Sequence, residues 1–223
     1  VTDLNVEHRG TEHQVSEYRV TMTTHVPAGT SAAEVDDVRA REAANTRVLA
    51  GQGRLLRLWR PPLGPGEWRT IGLFAADDPD DLERTLASMP LRVWRTDEVT
   101  ALTPHPNDPG PGTVPFTGGR PEFLVTFVVD VPAGTSPALV DDLGIQEAER
   151  TRALAGRGQL VRLWSLGPGR NLGLWRADDA RSLREILSAL PMARWLTTEI
   201  VPLAPHPSDP AAAPVAGADD RPA

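Results

Sequence analysis

The sequence repeats itself, and nothing else in it constrains the fold as strongly. Residues 26–60, VPAGTSAAEVDDVRAREAANTRVLAGQGRLLRLWR, return at 131–165 as VPAGTSPALVDDLGIQEAERTRALAGRGQLVRLWS, with 22 of 35 positions identical at an offset of 105. Residues 86–109, LASMPLRVWRTDEVTALTPHPNDP, return at 187–210 as LSALPMARWLTTEIVPLAPHPSDP at an offset of 101. The length change falls in one stretch, PPLGPGEWRT against SLGPGRN, where a surface loop tolerates it. Units of roughly 90 residues are domains, not the short stacked repeats of a solenoid. The boundaries that follow are a tail over 1–16, a first domain over 17–106, a Pro/Gly linker over 107–121, a second domain over 122–208 and a tail over 209–223. The linker is expected to be flexible and both tails disordered.

Within a unit the hydrophobic period gives the elements. Residues 17–26 alternate Tyr18, Val20 and Met22 on one face, as a strand does, and 123–131 is a more apolar counterpart. PAGTS follows, with Thr30 or Ser31 placed to cap a helix that runs to about Leu49 and ends at Gly51 or Gly53. RLLRLWR and TIGLFAA read as strands, 79–89 as a second helix with Pro79 in its first turn, and LRVWRTDEVTAL, after Pro90, as the last strand. The order β-α-β-β-α-β is the ferredoxin-like split βαβ arrangement, an α+β fold with both helices on one face of a four-stranded antiparallel sheet. The bare face needs a cover. Two copies in one chain can cover each other as two chains do in a symmetric dimer. The expected architecture is therefore a pseudo-twofold pair of ferredoxin-like units resembling a dimeric α/β barrel, with self-association into a homo-oligomer through the sheet faces.

Composition narrows the function. The formal charge is −7 and no run of Lys or Arg stands out, which argues against a nucleic-acid partner. No apolar run is long enough to span a bilayer, and the polar first residues lack a signal-peptide core, so a cytoplasmic protein without a membrane partner is expected. The absence of cysteine excludes disulfides, thiolate nucleophiles and sulfur-ligated metals. No His/Asp/Glu grouping has metal-ligand spacing. Abundant Ala, Arg, Pro and Asp hint at a bacterial source.

The candidate site residues come in pairs. On the first helix Val35, Val38, Glu42, Asn45 and Leu49 fall on one face, and in the second copy Val140, Leu143, Glu147, Arg150 and Leu154 do the same. A glutamate in mid-stripe needs a partner or a raised pKa, and either suits a general base. It can equally be a stripe-edge residue bridged to a strand arginine. On the second strand Arg57 and Trp59 share a face, repeated as Arg162 and Trp164. An arginine beside a tryptophan can hold an anion against an aromatic wall, or anchor the packing of the two domains. Trp94 and Trp195 each lie four residues after the proline that ends the second helix, as core or pocket wall. His105 and His206 stand in Pro-His-Pro-x-Asp-Pro, as weak catalytic candidates or chain-end anchors.

The strand through Val-Pro, the helix with its Glu, RLWR, and then L-x-x-[ML]-P…E[VI]…L…H-P, met twice in order, resemble the muconolactone isomerase family over about 17–108 and 122–209. The resemblance implies a proton shift on a small unsaturated lactone without cofactor, with a small-molecule substrate and a homo-oligomeric assembly. Residue by residue it implies that Glu42 and Glu147 are the carboxylates and that Trp59 and Trp164 match the second-strand tryptophan. The sequence departs from the family elsewhere. His25 and Asp130 stand where the family has lysine, Arg57 and Arg162 where it has histidine, and Trp94 and Trp195 where it has tyrosine. Thr70 stands where it has asparagine, which Asn171 retains. The function expected is a cofactor-free isomerase or cyclase acting on an unsaturated lactone or polyketide-like ring, with Arg57 or Arg162 holding the anion. The alternatives are a cofactor-free decarboxylase or oxygenase of the same fold, and a non-enzymatic binding or assembly module with a degenerate pocket.

Overall fold

A computed structural model describes residues 15–116 and 119–212. Most of the two expected tails, 1–14 and 213–223, lies outside the described residues. The first lobe runs β1 (Ser16–Thr24), α1 (Ala32–Gly51), β2 (Leu55–Arg60), β3 (Arg69–Ala76), α2 (Pro79–Ala87) and β4 (Arg95–Pro104). The second runs β5 (Glu122–Val129), α3 (Pro137–Gly156), β6 (Leu160–Ser165), β7 (Arg170–Arg176), α4 (Ala180–Ser188) and β8 (Leu196–Pro205). Both lobes are α+β, with antiparallel strands in the order β4-β1-β3-β2 and β8-β5-β7-β6.

Local chemistry sets the helix starts. Ser31 caps α1 by accepting the Glu34 N–H at 3.2 Å. Asp78 and Asp179 cap α2 and α4 by accepting the N–H groups of Asp81 and Ser182, each at 2.7 Å. The last strand begins later than its alternation suggests. Pro90–Trp94 forms a 3₁₀ turn, and only from Arg95 is the chain extended. Pro90 fixes a helical φ at the start of that turn, which overrides the strand-like composition of LRVW.

Each sheet would have two free edges, and the lobes share them. The end of β4 pairs with β6, Thr103 opposite Ser165 and Pro104 opposite Trp164. The end of β8 pairs with β2, Pro205 opposite Trp59 and Ala204 opposite Arg60. The eight strands thus follow one another in a closed circuit, joined between the lobes by the strand ends. The helix-covered face of the first lobe holds one core, with Val20, Leu55, Phe74 and Leu86. A second core joins the lobes, bringing Trp59, Ile71 and Leu73 together with Leu124, Leu163, Trp164 and Leu174. The sheet faces assigned above to self-association are thus buried between the two lobes of one chain.

Two pieces read as loose from sequence are packed. In the linker Val114 is buried in the shared core, and the Pro115 and Phe116 carbonyls accept hydrogen bonds from Arg176. At the C-terminal boundary, Asp209 is buried in an ion pair with Arg57. Proline lowers the entropy cost of an irregular path, glycine permits the positive-φ bends at Gly110 and Gly112, and here fixed partners wait at its end.

Candidate active site

Each lobe has a cavity between its long helix and its sheet, and a glutamate reaches into each. The helix-facing residues of the strands make the floor: Met22 and Thr70 in the first lobe, Phe127 and Asn171 in the second. The first cavity has a volume of about 300 Å³ and the second about 250 Å³. Thr70 and Asn171 thus each line the cavity of their own lobe.

Glu42, from α1, has a side chain 12% exposed. Its Oε2 accepts the Leu91 N–H at 2.9 Å, and its Oε1 lies 3.4 Å from Arg95 Nη1. Burial pushes the carboxyl above its ordinary pKa, against the pull of the Leu91 N–H and of Arg95. Arg95 is itself held by Asp97, with Nε 2.6 Å from Oδ1. Glu42 thus lines a cavity and is also bridged to a strand arginine. Glu147, from α3, differs. Its Oε2 accepts the Met192 N–H at 3.0 Å, and burial raises its pKa against that bond alone. Leu196 stands where the first lobe has Arg95.

His105 and His206 line cavities, but each that of the opposite lobe. His206 faces Glu42's cavity and His105 faces Glu147's. The cause is the strand pairing between lobes, which continues through His105 N–H to Leu163 O at 3.1 Å and His206 N–H to Leu58 O at 3.2 Å. Each Nδ1 accepts a backbone N–H two residues on, from Asn107 at 3.0 Å and Ser208 at 3.1 Å, which leaves Nε2 as the protonated nitrogen of a neutral ring. Burial lowers both pKa values. For His206, burial and then the Arg60 charge bring it to about 4, against the opposing pull of Asp209. For His105 the pull of Asp108 opposes burial.

Six expected binding residues belong elsewhere. Arg57 and Arg162 do not line the glutamate cavities; they sit in buried ionic clusters that join the lobes. Arg57 donates to Glu122 at 2.6 Å and Asp209 at 3.0 Å, both from the second lobe. Arg162 donates to Glu17 at 2.6 Å and Asp108 at 3.1 Å, both from the first half of the chain. Trp59 and Trp164 complete the clusters, donating Nε1–H to Glu122 and Glu17 at 2.7 Å each. With two carboxylates apiece, these arginines have no charge left over for a bound anion. Trp94 and Trp195 also stand outside both cavity walls. Their carbonyls accept the His25 and Asp130 N–H groups, and Trp195 is buried with Arg194 across its ring.

Sequence reasoning passed over the residues that give each cavity its character. Arg39, Arg60 and Arg95 line the first, and Gly144, Ser165 and Leu196 hold the equivalent positions in the second copy. Trp175 lines the second where the first copy has Phe74. The signal was available in the repeat: these are positions on the glutamate helix and on the strands around it where the copies disagree in charge or polarity. Among the described residues no group of three or more His, Asp or Glu stands where it could hold a metal ion, and no helix is long and apolar enough to cross a membrane.

With this geometry in view, the comparison with known families is decisive at the level of the family. The muconolactone delta-isomerase profile matches residues 16–108 and again 122–209. The chain belongs to the muconolactone delta-isomerase family. It is 32% identical over 90 residues to the Muconolactone Delta-isomerase of Cupriavidus pinatubonensis, which covers 40% of this chain and 95% of that protein. It is 30% identical over 88 residues to the Rhodococcus opacus Muconolactone Delta-isomerase, covering 39% and 95%. Each relative thus matches one lobe's worth of chain, and this chain carries two muconolactone isomerase units. A solved chlorite dismutase variant from Candidatus Nitrospira defluvii covers 86% of this chain and 92% of its own with a TM-score of 0.51 at 14% identity, a likeness of fold alone.

Proposed function

We propose that this muconolactone isomerase-family chain is a cofactor-free isomerase that moves a proton around a small unsaturated lactone or a related enolisable ring, with Glu42 as the proton carrier. The observation that carries the reading is the Glu42 carboxylate itself: half-buried, raised in pKa, fixed by the Leu91 N–H and facing a cavity of about 300 Å³. A base with these properties is matched to an acidic carbon–hydrogen bond near neutral pH. Glu42 takes a proton from a ring carbon, the electron pair of that bond spreads into a dienolate, and the same carboxyl returns the proton to another ring carbon. Nothing is oxidised or reduced. The Thr70 hydroxyl favours the negative charge that develops. Arg39 and Arg60 give the cavity a positive rim, which suits a ring bearing a carboxylate. In this reading the two lobes stand to each other as the halves of a pseudo-twofold dimer, each lending its histidine to the other.

The test is to incubate the whole chain with muconolactone in heavy water and follow turnover and deuterium incorporation by NMR. Glu42→Gln is expected to slow both by at least about 100-fold, the usual weight of a general base. Unchanged exchange in the Glu42→Gln/Glu147→Gln double variant removes the carboxylates from the chemistry.

A further inference from the structure

The two cavities share a glutamate and a histidine but not a charge. The wall of the Glu42 cavity contains Arg39, Arg60 and Arg95. The wall of the Glu147 cavity contains no Lys or Arg, and its ionisable groups are Glu147 and His105. An anion entering it would give up water without meeting a cation, and would lie beside a carboxylate.

The second cavity has something the first lacks. Trp175 is 1% exposed, and its Nε1–H is buried without a hydrogen-bond partner. Trp175 and Asn171 stand on one face of β7 with Gly173 between them, and both line the cavity. A Cβ on Gly173 would come within 2.2 Å of Trp175 Nε1, so the glycine is what lets the indole fold back over that position. A buried donor left unpaired is costly, and a ligand oxygen in the cavity relieves it. In the first lobe the same place is held by Phe74 over Gly72, with no donor to offer.

We propose that the Glu147 cavity is a second binding site with its own selectivity, taking an uncharged unsaturated carbonyl compound whose oxygen accepts the Trp175 Nε1–H, and rejecting carboxylate-bearing rings. The claim concerns binding, and it stands or falls separately from proton transfer at Glu42.

The chain's three methionines make the test direct. Met22 and Met89 line the Glu42 cavity and Met192 lines the Glu147 cavity. With the methionine methyl groups labelled with carbon-13, the whole chain is titrated by NMR with α-angelica lactone, which is neutral, and with muconolactone, which carries a carboxylate. The Met192 signal is expected to move with the neutral lactone, at a concentration at least about tenfold lower than with muconolactone. Trp175→Phe, which copies the first lobe's own residue, is expected to weaken the neutral lactone at Met192 about two- to tenfold, the worth of one hydrogen bond. Equal response of Met192 to both lactones, no response to the neutral one, or unchanged affinity in the Phe variant overturns the proposal. Signals from Met22 and Met89 report the other cavity, so a failure there is read separately.

Discussion

Arg57 Nη2 lies 3.0 Å from Asp209 Oδ2 across 152 positions of the chain, and both side chains are all but sealed from water, at 4% and 1% exposure. The Asp209 carboxylate also accepts the Leu58 N–H at 3.0 Å. One acidic side chain after the last strand thus fastens the second lobe to the first lobe's β2. Burial favours loss of the Arg57 proton, but the hydrogen bonds it donates to Glu122 and Asp209 outweigh this and hold the guanidinium above its ordinary pKa. Asp209→Asn is expected to cost about 3 kcal/mol in urea-denaturation stability, because it leaves Arg57 and Arg176 buried around the single carboxylate of Glu122. Asp97→Asn weakens the corresponding hold on Arg95, but that pair lies within one lobe, so its loss should not loosen the junction between lobes.

The exchange of histidines between lobes gives a crossed expectation. His206→Ala, a change in the second lobe, is expected to weaken muconolactone at the Met22 and Met89 reporters about two- to tenfold, as loss of one polar contact does, while leaving Met192 unmoved. His105→Ala is expected to do the reverse with the neutral lactone. Effects confined to the lobe that carries the substitution contradict the strand pairing from which this follows.

Glu147 links acidity to stability. Burial raises its pKa in the folded state, so the folded protein holds this proton more tightly than the unfolded chain does. Its contribution is fully favourable below the ordinary Glu value of about 4.3 and is lost as pH rises through the folded value. Glu147→Gln keeps an oxygen for the Met192 N–H and removes the charge. Calorimetry should therefore find its Tm gain over wild type growing from acid towards neutral pH. A gain that shrinks over that range gives the opposite sign and contradicts the raised pKa.

The pH profile of turnover should be set by Glu42. A carboxylate must be ionised to accept a proton, so kcat/KM is expected to fall on the acid side with an apparent pKa above the ordinary Glu value of about 4.3. His206, at about 4, is already neutral where that limb lies. His206→Ala should therefore lower the plateau and leave the limb in place. A limb that moves with this substitution assigns it to the histidine instead.

Charge selectivity should be transferable. Gly144 occupies the position of Arg39, and a Cβ there would meet nothing within 4 Å. Gly144→Arg is expected to bring muconolactone into the second cavity with at least about tenfold tighter binding at Met192, since it supplies the missing cation at a position where an added Cβ meets no neighbour.

How much of this was legible in the sequence depends on how local each signal is. The repeat and its period gave both lobes their elements, because strand alternation and helix caps such as Ser31 are written within a few residues. Glu42 and Glu147 stood out because a carboxylate in an apolar stripe breaks a pattern. Arg57 was harder. An arginine beside a tryptophan looks the same whether its carboxylate comes from a ligand or from residue 209, and only the folded chain says which. The crossing of the histidines was out of reach for the same reason: it follows from β4 pairing with β6 and β8 with β2, contacts between residues about 60 or 145 positions apart that leave no local trace. The Pro/Gly segment around Val114 was read by composition, and composition records the stiffness of a path without recording what it is tied to.

Covalent fusion of the lobes changes what mutation can do. When a small protein assembles with an identical copy, every substitution is written into both halves at once, and neither binding chamber can be altered alone. Here position 39 and position 144 are separate letters. One molecule can hold a cavity lined by arginines and one lined by none, always in equal number.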